Sequence, residues 1–183
     1  MGFWYTDQQD HTGAWYWIGI AIILSQSLGL HRSPQFIGRG PLPSEAQQRL
    51  RRRLWWSCLV RDRWVSLAKG RPMRIHDEDC DLPMPSADDI LHELSAVSPQ
   101  AREKYMPADY EMLATMWIRL VRISDNLGLI LRAHYRVKGP KASPDEIDRH
   151  ADQLEACAQK NPPSDDRKSV SLIYAYHLEL FYQ

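Results

Sequence analysis

One stretch, residues 49–85, constrains the fold more than any other: RLRRRLWWSCLVRDRWVSLAKGRPMRIHDEDCDLPMP. Just upstream, Ser44-Glu45-Ala46-Gln47 is a capping box. There the serine oxygen can accept from the N3 amide while the Gln47 side chain reaches back. Glu45 and Arg49 stand i,i+4 in the favourable orientation. Gly70 offers a left-handed stop and Pro72 prevents continuation, so the pattern predicts a helix from Ser44 to about Lys69. On it Ala46, Leu50, Leu54, Cys58, Val65 and Ala68 form one apolar stripe. Trp56, Leu59, Val60, Trp64 and Leu67 form a second. A helix apolar on two stripes packs on both sides, which predicts a central position. Pro83 and Pro85 forbid helix downstream, so 70–85 reads as an extended, turn-rich loop.

The rest of the chain is punctuated in the same way. Met1 to Thr12 is a polar lead-in with two aromatics, Trp4 and Tyr5. Trp15, Ile18, Ile22 and Ser25 recur at helical spacing over 13–28. Ile20, Ile23 and Leu24 widen that arc and predict a helix buried on most sides, with Gly29 as its stop. Residues 33–43 read as a loop. A short helix over 87–94 is expected, with Ser86 as N-cap and Asp88-Asp89 at the positive end of its dipole. Residues 95–102 read as a loop. A long helix is predicted over 107–135, burying Leu113, Trp117, Leu120, Leu127 and Leu131, with Gly128 a mild weak point. Ser143-Pro144-Asp145-Glu146 is a second capping box with proline at N1, opening a helix to roughly Lys160. Pro162-Pro163 stops it, and a last apolar helix over 170–181 runs to Gln183 without a C-cap. The expectation is an all-α, multi-helix orthogonal bundle over 1–183, read as an incomplete portion of a larger helical domain.

Composition narrows the function classes. At 183 residues, 44% apolar and 25% charged, the chain has the make-up of one globular domain. Lysine plus arginine and aspartate plus glutamate number 23 each, so no net positive charge supports a domain-wide nucleic-acid footprint. Three scattered cysteines, Cys58, Cys80 and Cys157, contain no CxxC pair, which argues against a disulfide framework or a zinc site. The apolar run 13–24 is too short to span a bilayer, and the chain reads as soluble and intracellular.

Groups that carry chemistry are sparse. There is no phosphate-binding glycine loop, no GxSxG elbow and no HExxH. His76, Glu78 and Cys80 resemble the HxE of zinc deaminases, but the PCxxC partner is missing, so a solvated acidic loop is the better reading. The His31-Arg32 pair reads as a dipole or capping partner of the preceding helix. Arg49, Arg51, Arg52 and Arg53 are the candidate nucleic-acid contacts, since arginines on a helix can lie along phosphates. The reading preferred here makes them the solvated margin of a core-facing helix, their stems covering apolar surface. Asp62 stands out because no cation lies at i±3 or i±4, and a carboxylate among apolar positions needs compensation. Arg71 or Arg74 folding back onto Asp62, and the acidic run 77–81 meeting Arg61 or Arg63, would clamp the loop to the helix.

Taken together, Leu50-Arg51-Arg52-Arg53-Leu54-Trp55-Trp56-Ser57-Cys58, then Arg61-Asp62-Arg63, Gly70-Arg71-Pro72 and Asp77-Glu78-Asp79-Cys80-Asp81-Leu82-Pro83 resemble a known signature. It is that of the fungal-specific transcription factor domain, the middle homology region of zinc binuclear-cluster regulators. The segments around 21–32, 154–163 and 174–181 resemble the helices flanking that signature. More narrowly, the wording of 62–64 and 77–81 resembles the cutinase transcription factor 1 beta group.

The resemblance implies an all-α regulatory domain of a nuclear transcription factor and no enzyme. Its signature residues here are Arg53, Trp55, Trp56, Asp62, Arg63, Gly70, Arg71, Pro72, Asp77, Asp79, Asp81 and Pro83. In the family, a separate six-cysteine domain holds two zinc ions and reads DNA. This chain cannot build that cluster, so no cofactor and no direct DNA contact are expected of it. Implied partners are co-regulators, other domains of the same factor, a small-molecule effector or a second copy of the chain. No membrane is expected among them.

Overall fold

In a computed structural model of the chain, the described residues are 13–36, 41–135, 138 and 142–159. They form six α-helices and no strand: α1 Gly13–Ser27, α2 Glu45–Lys69, α3 Asp88–Ser95, α4 Pro99–Tyr105, α5 Tyr110–His134 and α6 Pro144–Gln159. Short 3-10 turns lie at Pro34–Phe36 and Asp77–Asp79. The fold is all-α. The chain divides into two compact units, Met1–Lys138 and Gly139–Gln183.

In the first unit α2 is the hub. It packs against α1, α3 and α5, and α3 also meets α5. Both ends of α2 form as their local chemistry dictates. The Ser44 hydroxyl accepts from the Gln47 amide, and the Gln47 side chain accepts from the Ser44 amide. Gly70 takes the left-handed conformation at φ 58°, and the Gly70 and Arg71 amides close on the Leu67 and Ser66 carbonyls. Gly29 ends α1 in the same way, at φ 63°. In the second unit the box at Ser143 and Glu146 is formed reciprocally. The expected helix over 170–181, the stop at Pro162-Pro163 and the lead-in with Trp4 and Tyr5 lie outside the described residues.

The core gathers Ile22 and Leu30 around the α1 exit, Trp55, Trp56, Leu59 and Val60 from α2, and Val121 from α5. Ile75 and Leu82 complete it. Both come from the loop 70–85, which is therefore threaded into the core rather than laid over it. The Trp56 indole donates to the Pro83 carbonyl at 3.0 Å, fixing the far end of that loop.

Five expectations need correction. α1 is not buried on most sides: Gly19, Ile22 and Ser25 are buried, while Tyr16, Trp17, Ile23, Leu24 and Leu28 are exposed. The first stripe of α2 fails over its N-terminal half, where Ala46, Leu50 and Leu54 are exposed and Arg49 is buried instead. Within the expected loop 95–102, residues 99–102 instead open α4, capped by the Ser98 hydroxyl on the Ala101 amide with Pro99 in the first turn. The N-cap of α3 is Ala87 rather than Ser86, and no side chain caps it; the Asp89 carboxylate accepts from the Ser86 amide at 2.8 Å.

The fifth concerns α5, which begins at Tyr110, not Pro107. Leu127 is buried as predicted and Trp117 and Leu120 pack half-buried on the core, but the most deeply buried positions lie beside that stripe. Ala114, Ile118, Val121 and Ser124 are buried with Leu127, Gly128 and Ile130, whereas Leu113 is exposed. Both phases are apolar in the sequence, so periodicity alone could not choose between them. The choice follows from Trp64 of α2, whose indole donates to the buried Ser124 hydroxyl at 3.0 Å.

Candidate functional site

Asp62 and Arg63 sit side by side on α2 with 0% of either side chain exposed. Two buried charges must be compensated by partners, and here the loop supplies them. Asp62 Oδ2 accepts from the backbone amides of Arg74 and Ile75, each at 3.0 Å, and from Arg63 Nη1 at 3.2 Å. Arg63 Nη1 also donates to the Ile75 carbonyl at 2.8 Å, and Nη2 to Asp77 Oδ1 at 2.6 Å. From α5, Arg132 reaches the same turn and pairs with Asp77 and Glu78.

The clamp expected from the sequence therefore exists, with different atoms. Arg74 returns to Asp62 through its main chain, not its guanidinium. Arg63 takes Asp77 as foreseen. Asp62 does have an ion-pair partner on its own helix, at i+1, a spacing where side chains do not ordinarily face each other.

Burial pushes the Asp62 carboxyl up, and the two loop amides and Arg63 counter it. Asp125, also on α5, is likewise raised by burial, with Arg63 opposing. The Asp81 carboxylate is held low, first by the Ser33 amide at 2.6 Å and then by Arg32 at 3.2 Å. Loop 70–85 is thus tied to α2, to α5 and to the exit of α1.

A second set of ion pairs joins α2 to α3. Arg49 bridges Glu45 at 2.6 Å and Asp88 at 2.8 Å, Arg52 forks onto Asp89 at 2.5 Å, and Arg53 pairs with Glu93. Arg51 donates to the Gly29 carbonyl at 2.6 Å. These arginines are not a solvated margin. Their guanidinium groups hold the neighbouring helix and the end of α1. Trp55 is fully buried against the His31 ring, 5.5 Å between centroids. Of the remaining signature residues, Pro72 lies with its carbonyl 3.5 Å from the Ser66 hydroxyl, and Asp79 is exposed.

Residues 1–160 match the family model for the fungal-specific transcription factor domain. The chain belongs to this family.

The match spans the clamp just described: the arginine-tryptophan run on α2, Asp62-Arg63, and the Gly-Arg-Pro turn leading into the acidic loop. Cutinase transcription factor 1 beta of Fusarium vanettenii is 36% identical over 142 residues, 75% of this chain and 16% of that protein. Cutinase transcription factor 1 alpha of the same organism is 31% identical over 165 residues, 89% of this chain and 17% of that protein. The acetamidase regulatory protein of Emericella nidulans is 38% identical over 85 residues, 43% of this chain and 10% of that protein. The chain spans about a sixth of the length of the two cutinase factors. No solved structure matches.

The zinc cluster of such regulators does not fit the residues of this chain. Cys58 is hydrogen-bonded to Ser25, and burial pushes the Cys58 and Cys80 thiols up, away from the thiolate a metal requires. Among the described residues no group of three or more His, Cys, Asp or Glu is placed to hold a metal ion. His76, Glu78 and Cys80 follow suit, Glu78 being paired with Arg132. Among the described residues no helix is long and apolar enough to cross a membrane.

Sequence reasoning missed three contributors. Gly128 and Arg132 of α5 complete the clamp, and the carboxylates of α3 receive the arginines of α2. Only Asp88 and Asp89 left a signal, as paired acids at a helix start.

Proposed function

We propose that residues 1–183 form part of the regulatory domain of a nuclear fungal transcription factor and have no enzymatic activity. The domain adjusts transcription through contacts with other parts of the same factor, with a co-regulator, with a small effector or with a second copy. DNA is read by a zinc-cluster module outside this chain, and the zinc belongs to that module. The family match over 1–160 carries the reading, because it falls on the ion-paired clamp that organises the first unit. The arginine row adds support. Contact with phosphates would have to displace the internal partners of Arg49, Arg51, Arg52 and Arg53.

The test places the chain between a heterologous DNA-binding domain and an activation domain in a reporter strain. A regulatory domain changes output by about fivefold or more, the low end of ordinary coupling energies. Asp62→Ala, which opens the clamp, returns output to that of the fusion lacking the chain. Equal output from all three fusions at matched protein levels rejects the reading. A helical scaffold without a ligand is the second reading, favoured by the exposed apolar side chains of α1. A thermal shift with any member of a metabolite pool would count against it.

A further inference from the structure

Helix α1 carries no charged residue, yet one of its faces forms an open groove of about 490 Å³. Tyr16, Ile20, Ile22 and Ile23 supply its apolar surface, with Trp15 and Gly19 at one end and Gln26 at the other. Among the described residues that line it, Arg74 is the one that carries a charge. The guanidinium crosses α1 at Gly19, where an added Cβ would lie 3.0 Å from Arg74 Cζ. It stacks on the Trp15 ring at 3.5 Å and donates from Nη1 to the Trp15 carbonyl at 2.6 Å. Among the described residues no carboxylate lies within ion-pair distance of this guanidinium, and the charge it feels from Asp62 acts at longer range. The Asp62 carboxylate accepts from the Arg74 backbone amide instead.

We infer that this groove docks an acidic amphipathic helix, a protein segment whose apolar stripe lies along α1 and whose carboxylate pairs with Arg74. Three features select that occupant. The groove runs from Trp15 to Gln26, about 16 Å or three turns at the rise of a helix. Its surface comes from one face of one helix, with Tyr16 and Ile23 exposed. A small ligand needs walls that bury most of it, whereas a helix laid in a groove does not. The single charge that the described residues bring to the surface is positive, and a guanidinium favours a carboxylate in bidentate geometry. The docking surface rests on the regulatory reading above, for which it names the kind of partner.

The experiment measures fluorescence anisotropy of a labelled four-turn synthetic peptide on the full chain. The peptide carries leucines at i, i+3, i+4 and i+7 and one glutamate next to the stripe; a control carries lysine there. The glutamate peptide is expected to bind about tenfold or more tightly than the control, one decade being the smallest step that identifies a charge pair. Arg74→Gln should erase that preference. Ile23→Asp, at an exposed position, should weaken both peptides about tenfold while the melting temperature holds.

Equal binding of the two peptides, or full binding by Ile23→Asp, overturns the proposal. So does self-association that Ile23→Asp abolishes while neither peptide binds, which would make the groove a contact between copies. Decanoate binding that depends on Arg74 while neither peptide binds would make it a small-acid site, and overturns it equally. Reporter regulation that survives Ile23→Asp in the fusion rejects the groove and leaves the regulatory reading intact. Peptide binding without any reporter effect rejects the regulatory reading and keeps the groove.

Discussion

Arg63 and Gly128 meet across the contact between α2 and α5. A methyl group added at Gly128 would overlap Arg63 Nε and lie 3.0 Å from its Cζ. Glycine inside a helix costs about 1 kcal/mol against alanine. Here it makes room for a fully buried guanidinium whose other side is held by Ile75, Asp77 and Asp62.

Gly128→Ala should therefore destabilise the chain, against the helix-propensity trend. Overpacking and a displaced buried ion pair together outweigh the propensity gain, for a net loss of about 2 kcal/mol. Urea denaturation of the two proteins checks it. A gain in stability would show that Arg63 can step aside.

Gly70→Ala should cost a similar amount for a different reason. No atom lies within 4 Å of where its Cβ would sit, so sterics with neighbours are absent. The backbone alone objects, because φ is 58° and a left-handed alanine costs about 1–2 kcal/mol. Gly70→Asn, which tolerates that conformation, should recover part of the loss in the same denaturation experiment.

The two glycines mark where the sequence stops being legible. Gly70, Ser44 and Gln47 act within four residues of their partners, so the ends of α2 could be read from the chain directly. Gly128 answers to Arg63, and Arg49, Arg52 and Arg53 answer to acids 37 to 40 residues away. A spacing rule confined to one helix cannot find such partners, which is why the arginine row looked solvated. Of Arg71 and Arg74, the two arginines expected to pair with Asp62, Arg74 reaches it through its main chain only, and its guanidinium goes to α1. Ser98-Pro99, a serine cap followed by proline in the first turn, is a local start signal for α4 of the same legible kind.

Asp62→Ala should be among the most damaging single changes in the first unit. It takes from the fully buried Arg63 one of its two carboxylate partners, leaving Asp77, and leaves the Arg74 and Ile75 amides without their acceptor. Breaking one side of a buried pair costs about 3–5 kcal/mol. The double variant Asp62→Ala/Arg63→Met removes both charges and should lose less than the sum of the single changes. Additive losses in chemical denaturation would show that the two charges are not coupled.

Acid should reveal the joint between α2 and α3. Burial alone would raise the Asp89 carboxyl, but the Arg52 fork and the Ser86 amide outweigh it, and the group is held below its ordinary value. A carboxyl depressed in the folded state contributes stability that is complete above its unfolded pKa of about 3.9. That contribution disappears as pH falls through the lower, folded value. Asp89→Asn should thus lower stability at pH 7 by about 2 kcal/mol, the scale of a buried charge-assisted pair. The gap between variant and parent should narrow below about pH 4 and close on further acidification. Melting temperatures of both proteins across that range decide it, since the other acids titrate alike in each. A gap of constant size would show that Asp89 holds α3 through shape rather than charge.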